Sequence, residues 1–93
     1  MKYGPLPPAA ADADLAHMDN ERLLKECRSL TMKLAQEDAW RVRLYRAFRI
    51  LRERKVPRTE IGAVAGMSAS GVRLGVDAIN RREAEAAKEA GKA

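Results

Sequence analysis

The chain has little of what most metal sites and catalytic sites are made from. It holds one cysteine, Cys27, so neither an internal disulfide nor a cysteine-based zinc site can form. It holds one histidine, His17, too few for a histidine-rich metal cluster. Aromatic residues are scarce: Tyr3, Trp40, Tyr45 and Phe48 make up 4% of 93 residues, so any core must be mostly aliphatic. No apolar run approaches the ~20 residues of a membrane-spanning helix. Met1–Ala16 lacks the apolar middle of a secretory signal. Four prolines and six glycines leave long stretches without a breaker, which argues for helices over a turn-rich β fold. No Gly-rich phosphate loop, carboxylate pair or nucleophile–base set stands out, so neither an enzyme, a cofactor nor a metal is expected. Hydrophobic residues at 46% exclude a wholly disordered chain. The expectation is a small, soluble, cytoplasmic, all-α protein with one domain.

What the chain does have is arginine, concentrated in one place. The formal net charge is +5. Residues 39–58 carry seven arginines and Lys55 against Glu53 alone, a local charge of +7, while every other segment is within one charge of neutral. Solvated helix faces usually mix signs, and this block does not. Guanidinium forks match phosphate oxygens in pairs, so a polyanion is the expected partner.

Residues 1–18, with Pro5, Pro7, Pro8 and an alanine–aspartate stretch, read as a flexible arm. Asp19 and Asn20 offer N-caps. From there nothing breaks a helix until Pro57, which pushes the preceding residue out of the α region. This stretch carries two apolar stripes. Leu23, Cys27, Leu30 and Leu34 have the spacing of a coiled-coil seam. Trp40, Leu44, Ala47, Phe48 and Leu51 form the second, roughly 90° around the helix from the first. One straight helix cannot bury both against one neighbour. Either the chain breaks near Gln36–Asp38 and its first half folds back, or the helix stays whole and residues 19–38 pair with a second copy. An exposed leucine row is unusual for a monomer, and two-fold dimers are the commonest assembly. A homodimer joined through Leu23, Cys27, Leu30 and Leu34 is therefore expected. Beyond Pro57, Thr59–Ala65 reads as a short helix capped by Thr59. Gly66 and Met67 make a turn, and Ser68 caps a helix reaching about Arg82. Residues 83–93 form an Ala/Glu/Lys tail that prolongs this helix or frays, with Gly91 its latest end.

Residues 58–79, RTEIGAVAGMSASGVRLGVDAI, carry the most information. Ile61 and Ala65 are apolar on the first helix, and Gly62 is small where two helices would touch. Gly66 can take a positive φ at the turn. Met67 fills the angle, and Val72, Val76 and Ile79 line the inner side of the second helix. This segment resembles the helix-turn-helix superfamily of DNA-binding proteins, over 22 of the 93 residues. It is also similar to region four of sigma factors and to the arms of resolvases and transposases. Gly75 departs from the pattern, where many members carry an aliphatic residue.

The resemblance implies a three-helix domain over residues 39–82, preceded by a long N-terminal helix, with residues 68–82 as the recognition helix in the major groove. It implies base contacts from Ser70, Arg73, Leu74 and Asp77. It implies backbone contacts from Arg43, Arg46, Arg49, Arg54, Arg58, Ser68 and Arg81. The plain alternative for Arg73 and Asp77 is an ion pair on a solvated face. The implied function is that of a small bacterial or phage transcriptional regulator, nucleoid-associated and bound to double-stranded DNA. The alternative is a protein-interaction module that docks on RNA polymerase or a phage assembly component through its arginine face, as in a small terminase subunit.

Overall fold

The computed structural model describes residues 6–32 and 38–91. A 3₁₀ segment, Ala9–His17, precedes four α-helices: α1 (Asn20–Thr31), α2 (Asp38–Glu53), α3 (Arg58–Ala65) and α4 (Ala69–Gly91). The fold is all-α, and among the described residues no helix is long and apolar enough to cross a membrane.

Helix α1 begins where the Asp19 carboxylate accepts a hydrogen bond from the Arg22 amide (2.8 Å), an ordinary side-chain N-cap. Its apolar face, Leu23, Cys27 and Leu30, is fully buried. Helix α2 is the centre of the molecule and packs against the 3₁₀ segment, α1, α3 and α4. It buries Val42, Leu44, Ala47, Phe48 and Leu51, while Trp40 packs half-buried at the edge of the same core. Both helices that lead into the second half end in a left-handed turn. After α2, Lys55 takes φ 66°, with Val56 N–H donating to the Leu51 carbonyl (3.0 Å) and Lys55 N–H to Arg52 (2.9 Å). After α3, Gly66 takes φ 67°, and Met67 N–H donates to the Gly62 carbonyl (2.9 Å).

Two close approaches explain glycines within helices. A Cβ at Gly62 would lie 2.3 Å from the Met67 carbonyl oxygen, so only glycine permits this corner. A Cβ at Gly75 would lie 2.7 Å from the Tyr45 ring, so α4 rests its backbone directly on α2. The departure from the helix-turn-helix pattern is thus a position where an aliphatic side chain has no room.

Several sequence expectations are corrected. Of the two alternatives for the 19–55 stretch, the broken one holds: α1 ends at Thr31, α2 starts at Asp38, and α1 packs back against α2 and α3. Folding back lets the two apolar stripes share one core. Leu23, Cys27 and Leu30 are at most 1% exposed within a single chain, so they are not available as a dimer seam; Leu34 lies outside the described residues. The arm is also ordered over residues 6–18: Leu15 is fully buried in the same core. One leucine does not offset the entropy of ordering nine residues; Arg43 and Arg46 also hold the segment, through Asp12 and Asp14. Helix α3 starts at Arg58 with Pro57, not Thr59, at its N-cap and no side-chain cap bond. The proline's fixed φ prepares the first turn instead. Of the two expectations for residues 83–93, prolongation holds: α4 continues past Arg82 and ends at Gly91.

Candidate functional site

The α3–turn–α4 corner leaves one face of α4 open. Val72 and Ile79 are fully buried, and Val76 packs on the core. Ser68 starts the helix, its hydroxyl accepting from the Gly71 amide (3.0 Å). On the opposite face Ser70, Arg73, Leu74, Asp77 and Arg81 are all exposed, Leu74 to 59%. Arg73 and Asp77 approach to 4.0 Å, the outer limit of an ion pair. Such an exposed pair contributes little and leaves Arg73 able to reach another acceptor. Arg58, at the start of α3, is also exposed.

The arginines of α2 are placed otherwise. Arg43, Arg46, Arg49 and Arg54, expected to touch DNA phosphates, are bonded within the chain. Arg43 donates through Nε to Glu26 (2.8 Å), through Nη1 to Asp12 (3.2 Å) and Asp14 (2.9 Å), and through Nη2 to Asp14 (2.8 Å). Arg46 is only 4% exposed. It donates through Nε to Glu83 (3.0 Å), through Nη1 to Asp12 (2.7 Å) and the Pro8 carbonyl (3.3 Å), and through Nη2 to the Pro7 carbonyl (2.8 Å). Arg49 holds Glu83 through both Nη groups and Asn80 (2.9 Å) through Nη1. Arg54 donates to the carbonyls of Met18 (2.6 Å) and Ala16 (3.0 Å) and to Asn20 Oδ1 (3.2 Å). The physical reason is charge matching across the fold. The arm, α1 and α4 each bring carboxylates onto the arginine face of α2.

The titration behaviour follows this geometry. The Arg43 guanidinium holds the Asp14 carboxyl below the usual carboxylate range. Arg49, and then Arg46, do the same for Glu83 against the opposing effect of its partial burial. In return Asp14 raises Arg43, and Glu83 raises Arg49, so both cations are held charged more firmly than usual. Burial pushes the Cys27 thiol up to about 12, which keeps it protonated and unreactive.

Reading by spacing missed Asp12, Asp14 and Glu83. The signal available was the slight acidity of both chain ends beside a strongly basic middle. A second junction ties the ends of the domain together: Arg82 of α4 grips Asp38, at the start of α2, with two 3.0 Å bonds. Among the described residues no three His, Cys, Asp or Glu side chains come together as a metal site. No family model matches the chain, nor does any curated protein or solved structure.

Proposed function

We propose that this protein binds double-stranded DNA through the open face of α4, as a small regulator of transcription. The observation that carries the reading is the division of that helix. One side is clamped on α2 and α3 through Val72, Gly75 and Ile79. The other presents Ser70, Arg73, Leu74, Asp77 and Arg81 to solvent. A rigidly held helix with a mixed donor, acceptor and apolar face suits the major groove, which admits one α-helix and displays a distinct pattern for each base pair. Arg73 suits the O6 and N7 acceptors of guanine. Leu74 suits a thymine methyl, and its exposure is otherwise unexplained on a polar face. Asp77 suits the cytosine amine. Backbone contacts fall to Arg58, Ser68 and Arg81. The reading takes one chain as the binding unit, since the leucine seam is spent inside it. The rival reading, docking on an acidic protein through the arginine face, is disfavoured because it leaves the open face of α4 without a role.

The test is titration of random duplex DNA, and of fragments selected from a genomic pool, across a range of salt. The two cationic backbone contacts, Arg58 and Arg81, give a slope of log affinity on log salt of about −2. Arg73→Ala is expected to cost ~1–3 kcal/mol on a selected fragment and much less on random DNA. A folded protein with no salt-dependent affinity for any duplex overturns the reading.

A further inference from the structure

The arginines of α2 divide their bonds by atom. Arg43 and Arg46 each give Nε to the body of the fold, to Glu26 of α1 and Glu83 of α4. Among the described residues their Nη atoms go to the arm alone: to Asp12, Asp14 and the carbonyls of Pro7 and Pro8. Arg54, just past α2, is different: it stays exposed and gives its Nη groups to the carbonyls of Ala16 and Met18 and to Asn20 of α1. The Nε bonds fix the Arg43 and Arg46 guanidinium groups on the scaffold, and their Nη edges face whatever lies over α2.

What lies there imitates a phosphate backbone. Asp12 places one carboxylate oxygen on Arg46 and the other on Arg43, as the two free oxygens of a phosphodiester would. Asp14 grips Arg43 with both oxygens. The segment that supplies them is lightly built. It is a 3₁₀ run without a side-chain N-cap, Asp12 departs from helical geometry (φ −115°, ψ 16°), and Leu15 is its one fully buried side chain. Arg49, three residues on from Arg46, links α2 to the open face of α4. Arg49 reaches Asn80, which in helical projection falls roughly 20° from Arg73.

We propose that the arm is a displaceable cover over a latent phosphate-binding face formed by Arg43 and Arg46, which duplex DNA occupies when the arm leaves. This inference rests on the DNA reading above. Exchange of carboxylate for phosphate keeps each buried cation partnered throughout, which avoids the large penalty of a bare one. The closed arm lowers apparent affinity by the fraction of molecules it keeps shut.

The test uses the full chain and a random 20-base-pair duplex. Asp12→Asn/Asp14→Asn weakens the arm's hold, and Glu85→Gln/Glu89→Gln, on the exposed end of α4, makes the same change in net charge elsewhere. The arm variant is expected to bind about tenfold more tightly than wild type at ~0.1 M salt, with a slope steeper by about two. The control is expected to gain about twofold. Arm-variant binding no tighter than the control's overturns the cover while leaving the DNA reading intact. Absence of binding by all three proteins overturns both. If circular dichroism shows the double variant unfolded, Asp14→Asn and hydrogen exchange on the wild type decide. Residues 9–18 lose protection on saturation with duplex if the cover opens, and unchanged or increased protection there overturns it.

Discussion

The arginines of α2 and those on the open face of α4 are the same side chain put to opposite uses. Arg43 and Arg46 expose 15% and 5% of their side chains and are surrounded by carboxylates. Arg73 exposes 55% and has one distant partner. Neither helix encodes this difference by its own composition. It comes from what lies around them: α2 is covered by the arm, α1, α3 and α4, whereas the outward side of α4 is left bare. A run of basic residues therefore indicates a polyanion partner only after the acids of the same chain have been placed. Buried ion pairs of this kind need not raise stability over an apolar replacement, but removing one member strands the others.

The largest expected effect follows from that asymmetry. Arg46→Ala leaves Asp12, Glu83 and two carbonyls short of a partner and is expected to destabilise the fold by about 3 kcal/mol in urea melts. Arg81→Ala, on the open face, is expected to change stability by less than about 0.5 kcal/mol. Equal effects would erase the distinction between the two faces. Next, the joint between the helices can be wedged. Gly75→Ala drives a methyl into the Tyr45 ring and is expected to cost ~1–3 kcal/mol. Gly71→Ala meets only the flexible end of Met67 at 3.1 Å, so the ~1 kcal/mol gain in helix propensity offsets most of the crowding.

Acid sharpens the comparison further. Asp14 and Glu83 have folded pKa values below their unfolded ones, so their contribution is complete above the ordinary carboxylate range, ~4, and is lost as pH falls from there through the lowered folded values. The urea midpoint is expected to drop between about pH 5 and pH 3, and Glu83→Gln to flatten that drop. A profile unchanged by Glu83→Gln would show that the closed face does not govern acid stability. The smallest effect contrasts the two corners. Gly66 takes its left-handed conformation freely, while Lys55 takes the same one under strain. Lys55→Gly is expected to stabilise by about 0.5–1 kcal/mol, read as a higher melting temperature.

The local features were legible in the sequence. Asp19 as a cap, the apolar stripes, the turn at Gly66, Ser68 as a cap and the inward Val72 and Ile79 all depend on neighbours a few residues away. The all-α class follows from them. What could not be read was whatever depends on distant partners. Leu23, Cys27 and Leu30 look like a seam for a second chain because spacing reports that a face is apolar, not which surface covers it. Asp12 and Asp14 look like part of a disordered arm because alanine and aspartate alone bury nothing. Only Arg43 and Arg46, some thirty residues later, give them a reason to be ordered. Gly75 looked like a flaw in the pattern until Tyr45 was seen to occupy its space.

The Arg46 guanidinium has one further consequence. It is held at once by Pro7, Pro8 and Asp12 from near the start of the chain and by Glu83 from near its end. The two extremities thereby share a common anchor and become thermodynamically linked. Loosening either one frees a donor to the other and alters how tightly that other end is retained. Substitutions at residues 12 and 83 should therefore be non-additive, and a fusion that strains the amino terminus will be felt along α4, the helix that carries Arg73.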